Sequence, residues 1–251
     1  TAYDVGNGQT YAVDVVGYDR TQDIAVLQLR GAAGLPTAAI GGEATVGEPI
    51  VALGNAGGQG GTPNAVTGKV VALNQSVSAT DTLTGAQESL GGLIQADAPI
   101  KPGDSGGPMV NNAGQVIGVD TAATDSYKMS GGQGFAIPIG RAMAVAGQIR
   151  SGAGSNTVHI GPTAFLGLGV MDNNGNGARV QRVVNAGPAA AAGISAGDVI
   201  TGVDNVAITG ATSMTEVLVP HHPGDTIAVH YRANDGAERT ANIALAEGPP
   251  A

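Results

Sequence analysis

The sequence predicts a mainly β chain in two parts: an all-β sandwich or barrel closed by one helix, then a smaller α+β domain. Three observations carry this. Residues 9 to 139 are written as short β-branched runs separated by Gly, Pro, Asn and Asp. At Pro138 the hydrophobic period changes from two to three or four. Residues 151–163 (SGAGSNTVHIGPT) then mix Gly, Ser, Asn and Pro between two hydrophobic stretches, as linkers do.

Taken in order, the strand candidates of the first part are residues 11–18, 24–29, 49–54, 68–73, 93–96, 108–110, 116–122 and 134–139. The closing helix is read from Ile139, Met143, Ala146 and Ile149, spaced three or four apart with no interior proline, and ending at Arg150 before Gly152. These signals divide the chain into residues 1–150, a linker over 151–163 and a second domain over 164–247. In that second domain, strand-like pieces at 166–171, 179–184, 198–203, 226–231 and 240–245 alternate with short helical ones near 188–192 and 214–219.

Composition narrows the function. Eleven Lys and Arg against 20 Asp and Glu give a net charge of −9, without a basic cluster, so a nucleic acid is not the expected partner. The chain has no cysteine, which removes disulfides, thiolate zinc sites and a cysteine nucleophile. Hydrophobic residues make up 42% but aromatic ones only 3%, so the cores must be built from Ala, Val, Ile and Leu. No apolar run reaches the ~18 residues of a membrane span. The opening Thr1-Ala2-Tyr3-Asp4 has neither the basic nor the apolar region of a signal peptide. It starts without Met, just before what reads as the middle of a sheet, so an upstream segment is expected.

The most informative stretch is Gly103-Asp104-Ser105-Gly106-Gly107-Pro108. A serine between glycines can present its hydroxyl from a tight turn whose N–H groups converge on one point, as a tetrahedral oxyanion requires. A bare G-x-S-G is also compatible with an ordinary glycine loop; the full hexapeptide in an all-β chain favours the nucleophile. Asp23, opening a hydrophobic strand, reads by itself as a cap or a solvated turn.

These residues belong to a wider resemblance. Asp23-Ile24-Ala25-Val26-Leu27, Gly47-Glu48-Pro49-Ile50-Val51-Ala52-Leu53-Gly54-Asn55, Thr67-Gly68-Lys69-Val70, the run from Gln95 through Pro108, and Gly134-Phe135-Ala136-Ile137-Pro138 resemble the trypsin-like serine proteases of the HtrA/DegP family. They stand in that family's order and spacing, with the secreted actinobacterial PepA-type proteases nearest. The resemblance implies a trypsin-like double β-barrel, its first barrel incomplete at the N-terminus. It implies Ser105 as nucleophile, the N–H groups of Gly103 and Ser105 as oxyanion hole, and Asp23 as triad acid. No metal or organic cofactor is implied. Pro99, six residues before Ser105, stands where an Arg/Lys-specific enzyme would carry an acid, and small side chains over 119–124 fit an aliphatic residue before the scissile bond. The partner of Asp104 is not fixed by sequence.

The base is where the resemblance breaks. The family's histidine would fall eight or nine positions before Thr1, whereas this sequence has only His159, His221, His222 and His230, none of them ahead of Ser105. His159 lies in the linker, His221-His222 reads as a surface turn, and His230 as a packed or solvated strand residue. Without a base a serine hydroxyl is a weak nucleophile, so the 251-residue chain by itself is expected to be essentially inactive. It reads as a fragment of a protease, with a non-catalytic peptide-binding protein as the alternative.

In the second domain Phe165-Leu166-Gly167-Leu168 is similar to the carboxylate-binding loop of PDZ domains, whose N–H groups hold a peptide's C-terminus while the next strand pairs with it. The runs Gly187 to Ile194 and Ala196 to Ile200 resemble the helix and following strand of protease-attached PDZ domains. The Gly57–Gly61 run reads as a surface loop bordering the substrate cleft. Asp172 to Gly177 reads as a turn rather than a calcium loop, because its twelfth position is Val183, not Glu. The family further implies unfolded or exported protein substrates, peptide C-termini at the PDZ domain, a homotrimer, and a place outside the cytoplasm with association to the cell envelope.

Overall fold

The computed structural model describes residues 1–58, 60–80, 87–121 and 133–248. Gln59 of the glycine run, Ala122 at the end of one expected strand, and residues 122–124 of the small-side-chain segment lie outside them. The chain divides into two compact units. One holds Thr1–Asp14, Thr21–Ala79 and Ser89–Ser151; the other holds Val15–Arg20, the described residues of Thr80–Glu88, and those from Gly152 on.

The first unit opens on β1 (Ala2–Asp4) and β2 (Gln9–Tyr11), an antiparallel hairpin. Then come β3 (Val13–Asp19), whose residues from Val15 count with the second unit, β4 (Ile24–Leu29), β5 (Ala39–Ile40), β6 (Pro49–Gly54), β7 (Asn64–Thr80), β8 (Gln87–Ala96), β9 (Pro108–Asn111), β10 (Gln115–Thr121) and β11 (Gly134–Pro138). Six of these run in the order β11-β8-β7-β6-β9-β10, and β10 pairs again with β11, so the sheet closes on itself as a barrel. Closure leaves none of the six with an open edge. Alternation along β6 sends Ile50 and Ala52 inward to meet Val70, Ile94, Met109 and Ile117. The interior is aliphatic, as the scarcity of aromatic residues requires.

Strands 24–29 and 49–54 fall where the alternation places them. Strands β7 and β8 are much longer than the expected 68–73 and 93–96. Asn64 to Lys69 lie in register with Gly54 to Pro49, and this pairing overrides the poor strand propensity of Asn64 and Gly68 there. Strands β1 and β5, at three and two residues, are too short to show a period.

The helix α1 (Ile139–Arg150) spans the predicted residues and is followed by Gly152 at φ 72. Its buried stripe is Ile139, Ala142, Val145 and Ile149, while Met143 is half exposed. Ile139 therefore starts the helix and does not end β11: Pro138, at φ −54 and ψ 135, turns the chain between them.

In the second unit follow β12 (Val158–Ile160), β13 (Ala164–Phe165), β14 (Leu168–Asp172), β15 (Ala178–Val183), α2 (Pro188–Ala191), β16 (Val199–Val203), β17 (Val206–Ala207), α3 (Ala211–Leu218), β18 (Thr226–Arg232), β19 (Glu238–Ala244) and β20 (Ala246–Glu247). The main sheet has the order β14-β15-β16-β18-β19, with β17 beside β16 and a small β13–β20 ladder. Its core gathers Val180, Ile200, Ile227, Val229, Tyr231 and Ile243. The stretch read as a linker is not all linker: β12 pairs antiparallel with β3, Val158 opposite Asp19 and Ile160 opposite Gly17. Its three-residue run Val-His-Ile is hidden among turn formers, but burial of Val158 and His159 seats it.

Candidate active site

The loop carrying Ser105 is held from two sides by main-chain hydrogen bonds. On one side Gly57 N–H donates to Pro102 C=O at 2.9 Å and Asn55 N–H to Gly103 C=O at 3.2 Å. On the other, Gly106 N–H donates to Asp120 C=O at 2.8 Å and Asp120 N–H to Gly107 C=O at 2.7 Å. Glycine is required at two points. Gly103 has φ 96, and a Cβ there would lie 2.5 Å from Asn55 O; a Cβ on Gly107 would lie 1.8 Å from Leu53 O. Ser105 itself is exposed. Among the described residues the N–H of Gly103 donates to no main-chain carbonyl.

The side chain of Asp104 turns the other way and is buried; its Oδ2 accepts from Lys101 N–H at 2.9 Å. Asp120, also buried, has its carboxyl pushed up to about 8, first by burial and then by the neighbouring charge of Asp104. Asp23 has φ 54 in the turn that opens β4, is exposed, and accepts from Thr121 Oγ1 at 3.1 Å. Residues 120 and 121 at the end of β10 thus hold both the Ser105 loop and the Asp23 carboxylate. Pro99 is exposed on the segment leading to the loop.

In the second unit Leu166 is buried and Gly167 turns at φ 83. This bend divides the expected 166–171 strand, so that β14 begins at Leu168. The carbonyls of Leu166 and Gly167 accept from Ala189 and Val184 at 3.0 and 2.9 Å. Among the described residues the N–H groups of Leu166 and Gly167 donate to no main-chain acceptor. Strand β14 ends the sheet on one side, with α3 packed near it and Ala211 N–H donating to Asp172 Oδ1 at 2.7 Å.

Comparison with known proteins supplies the family. A trypsin-like peptidase domain matches residues 2–119, and a PDZ domain matches residues 164–245. The serine protease PepD of Mycobacterium tuberculosis is 35% identical over 257 residues, covering 98% of this chain and 53% of that protein. The Do-like serine protease HtrA of Lactococcus lactis subsp. cremoris is 33% identical, covering 97% of this chain and 63% of its own length. The serine endoprotease DegS of Escherichia coli is 30% identical, covering 97% of this chain and 68% of that protein. The chain belongs to the HtrA family of serine proteases. It spans about half to two thirds of the length of these relatives.

Against the HtrA frame, the four histidines have their partners in the second unit. His159 is 5% exposed, stacks on Tyr18 at 4.9 Å, lies tilted against the His222 ring at 4.5 Å, and contacts Pro162 O through Nε2 at 3.1 Å. Burial holds its imidazole below the usual range. His222 Nε2 meets Ile160 O at 3.2 Å and His221 Nδ1 lies 3.5 Å from Asp225. His230 bridges Thr240 Oγ1 and Asp204 O. Asp172 caps α3, and among the described residues no group of three or more His, Cys, Asp or Glu could hold a metal. Sequence reasoning missed Thr121 and Asp120. Nothing in their local pattern marks them, because their partners are set by barrel closure.

Proposed function

We propose that this chain is the protease and PDZ portion of an HtrA-type serine endopeptidase that cleaves peptide bonds through an acyl-enzyme on Ser105. Residues 1–150 form the catalytic domain in this reading, 151–163 the connection and 164–247 the PDZ domain. Ser105 Oγ attacks the scissile carbonyl. The N–H groups of Gly103 and Ser105 stabilise the oxyanion in the transition state, where donors fixed in advance act most strongly. Asp23 orients the histidine that takes the serine proton and returns it to the leaving amine. None of the four histidines of this sequence precedes Ser105, so in this reading the 251 residues by themselves lack the base and are inactive.

What carries the reading is the two-sided pinning of the Ser105 loop, which leaves an exposed serine between two left-handed glycines, Gly103 and Gly106, on a closed barrel. The PDZ part binds peptide C-termini or exposed strands by adding a strand to β14, the carboxylate resting on the Leu166 and Gly167 N–H groups, with Phe165 and Leu168 flanking them. Substrates are unfolded or exported proteins met outside the cytoplasm, at the cell envelope, by a homotrimer.

Full-length protein treated with a fluorophosphonate tests this. Ser105 becomes labelled and peptide hydrolysis is lost in Ser105→Ala. Folded full-length protein that stays unlabelled and hydrolyses nothing, yet binds peptides, establishes the second reading, a peptide-binding pseudoprotease. The observation favouring that reading is that every histidine in the sequence has its partners in the second unit.

A further inference from the structure

Two carboxyl groups lie beneath the Ser105 loop, away from solvent. Asp104 is 2% exposed and Asp120 1%. Asp104 Oδ2 has the Lys101 N–H, but Asp104 Oδ1 and both carboxyl oxygens of Asp120 have no hydrogen-bond partner among the described residues. The neighbouring strands bring no compensating charge: β6, β9 and β11 contain no Lys, Arg, His, Asp or Glu, and Asp120 is the one such residue of β10. Helix α1, which also packs on β10, carries Arg141, whose Nη1 donates to Gly91 O at 2.6 Å, and the exposed Arg150. Strand β6 closes over Asp104 so tightly that a Cβ on Gly54 would lie 2.5 Å from its Oδ1. On the segment before the loop, Lys101 and Asp97 are exposed, and Asp97 Oδ1 accepts the Lys69 N–H at 2.5 Å; beyond Thr121, Asp23 is exposed.

Two neighbouring carboxylates cannot both stay ionised in such a place, and an unpartnered buried oxygen is costly. One proton answers both problems: held on one carboxyl, it is donated to the other. We infer that Asp104 and Asp120 form a carboxylic acid–carboxylate pair sharing one proton, and that this pair is the positioning element keeping the nucleophile loop seated on β10. The backbone supports the coupling, since the loop and β10 exchange two hydrogen bonds through Asp120 itself. Removing the shared proton leaves two buried negative charges and drives the loop from β10, so alkaline pH disables the site by displacing Ser105, with the base unaffected. Burial and the Asp104 charge, which push Asp120 up to about 8, place that event near pH 8.

The catalytic consequence rests on the Ser105 reading, whereas the shared proton does not. The test therefore has two arms on full-length protein. In the first, kcat/KM is followed from pH 6 to 10 in wild type and in Asp120→Asn, which keeps the shape and gives Asp104 an amide donor. A single ionisation near 8 lowers the wild-type value about tenfold from pH 7 to pH 9, and the decline is absent from Asp120→Asn. In the second, infrared spectroscopy follows the protonated-carboxyl band. It disappears near pH 8 in wild type and is missing from Asp120→Asn, while in Asp104→Asn, where burial still acts on Asp120 but the neighbouring charge is gone, it disappears at a lower pH than in wild type, so a folding failure of one variant leaves the other. A titrating band with no hydrolysis at any pH overturns the Ser105 reading and leaves the pair standing. A neutral-pH spectrum without the band, or an alkaline decline identical in wild type and Asp120→Asn, overturns the pair.

Discussion

The hydroxyl of Thr121 donates to the Asp23 carboxylate at 3.1 Å across 98 positions of sequence. Asp23 sits at φ 54, a backbone region that Asp enters more readily than most residues, and there its side chain leaves the line of β4. Thr121 fixes where that carboxylate points. Its chain neighbour Asp120 holds the Ser105 loop through two main-chain hydrogen bonds. The end of one barrel strand is thus the common mount of the candidate acid and the candidate nucleophile, and a rigid element holds such geometry better than a loop does.

Thr121→Val keeps the shape of the side chain and removes the donor. Hydrogen bonds to charged groups contribute about 1.5–3 kcal/mol when shielded. Asp23 is exposed, so the lower end applies and kcat/KM of full-length enzyme falls about tenfold. Asp23→Asn, which misdirects the base, lowers kcat by about 10⁴. Steady-state kinetics on both variants decides the matter: a Thr121→Val enzyme as active as wild type shows that this hydrogen bond orients nothing.

Gly107→Ala tests how tightly the Ser105 loop is packed. The added Cβ meets the carbonyl oxygen of Leu53 at 1.8 Å, and backbone on both sides leaves no flexible group to yield. Overpacking of this kind costs about 1–3 kcal/mol. Fluorophosphonate labelling slows at least about tenfold, because the displaced loop no longer presents Ser105 in line. Gly42→Ala serves as control: like Gly107 it has no left-handed φ, but a Cβ there has nothing within 4 Å. Labelling of Gly107→Ala at the control's rate would contradict the proposed fit.

Leu168→Asp addresses the peptide groove. Leu168 opens β14 at the edge of its sheet and packs against the core of the second unit. A carboxylate there repels a peptide's C-terminal carboxylate and removes apolar contact. Affinity for a peptide ending in an aliphatic residue falls by more than about tenfold in fluorescence anisotropy, as does wild-type affinity for the C-terminally amidated peptide. Equal binding of the free and amidated peptides would refute capture of the terminus.

What the sequence made legible is what local pattern encodes. Strands 24–29 and 49–54 announce themselves by alternation and flanking turn residues, α1 by its period and by Gly152, and the Ser105 loop by its glycines. Local pattern fails where register decides. Strand β12 is three residues inside a turn-forming stretch and exists because β3 offers it a partner. The ring contacts of Tyr18, His159 and His222 join residues from three distant segments, so His159 read as a linker residue although it is nearly inaccessible. Thr121 and Asp120 gain their roles from the closure of β10 onto β11, which no window of sequence contains. Met143 fits a helical spacing of three or four, yet the stripe that α1 buries passes it through Ala142 and Val145.

Two buried groups with opposite displacements predict opposite pH limbs of stability. Asp120 is raised to about 8, so the native state holds a proton that the unfolded chain releases above the ordinary carboxylate value of 3.8. Its environment therefore weakens the fold progressively as pH climbs from about 4 to about 8, by at most about 1.4 kcal/mol per pH unit. His159 is lowered, chiefly by burial, with Pro162 O acting against the shift and His222 adding to it. The unfolded chain there takes up a proton that the native state resists, so stability is lost as pH falls through the ordinary imidazole value of 6.5. The two effects lie in different units and are read separately by hydrogen exchange, corrected for intrinsic rates, on peptides covering 104–121 and 157–163. Protection over 104–121 weakens toward alkaline pH and becomes flat in Asp120→Asn. Protection over 157–163 weakens toward acid pH and becomes flat in His159→Asn. A single variant that flattens both limbs would show that the two buried groups titrate as one cooperative unit.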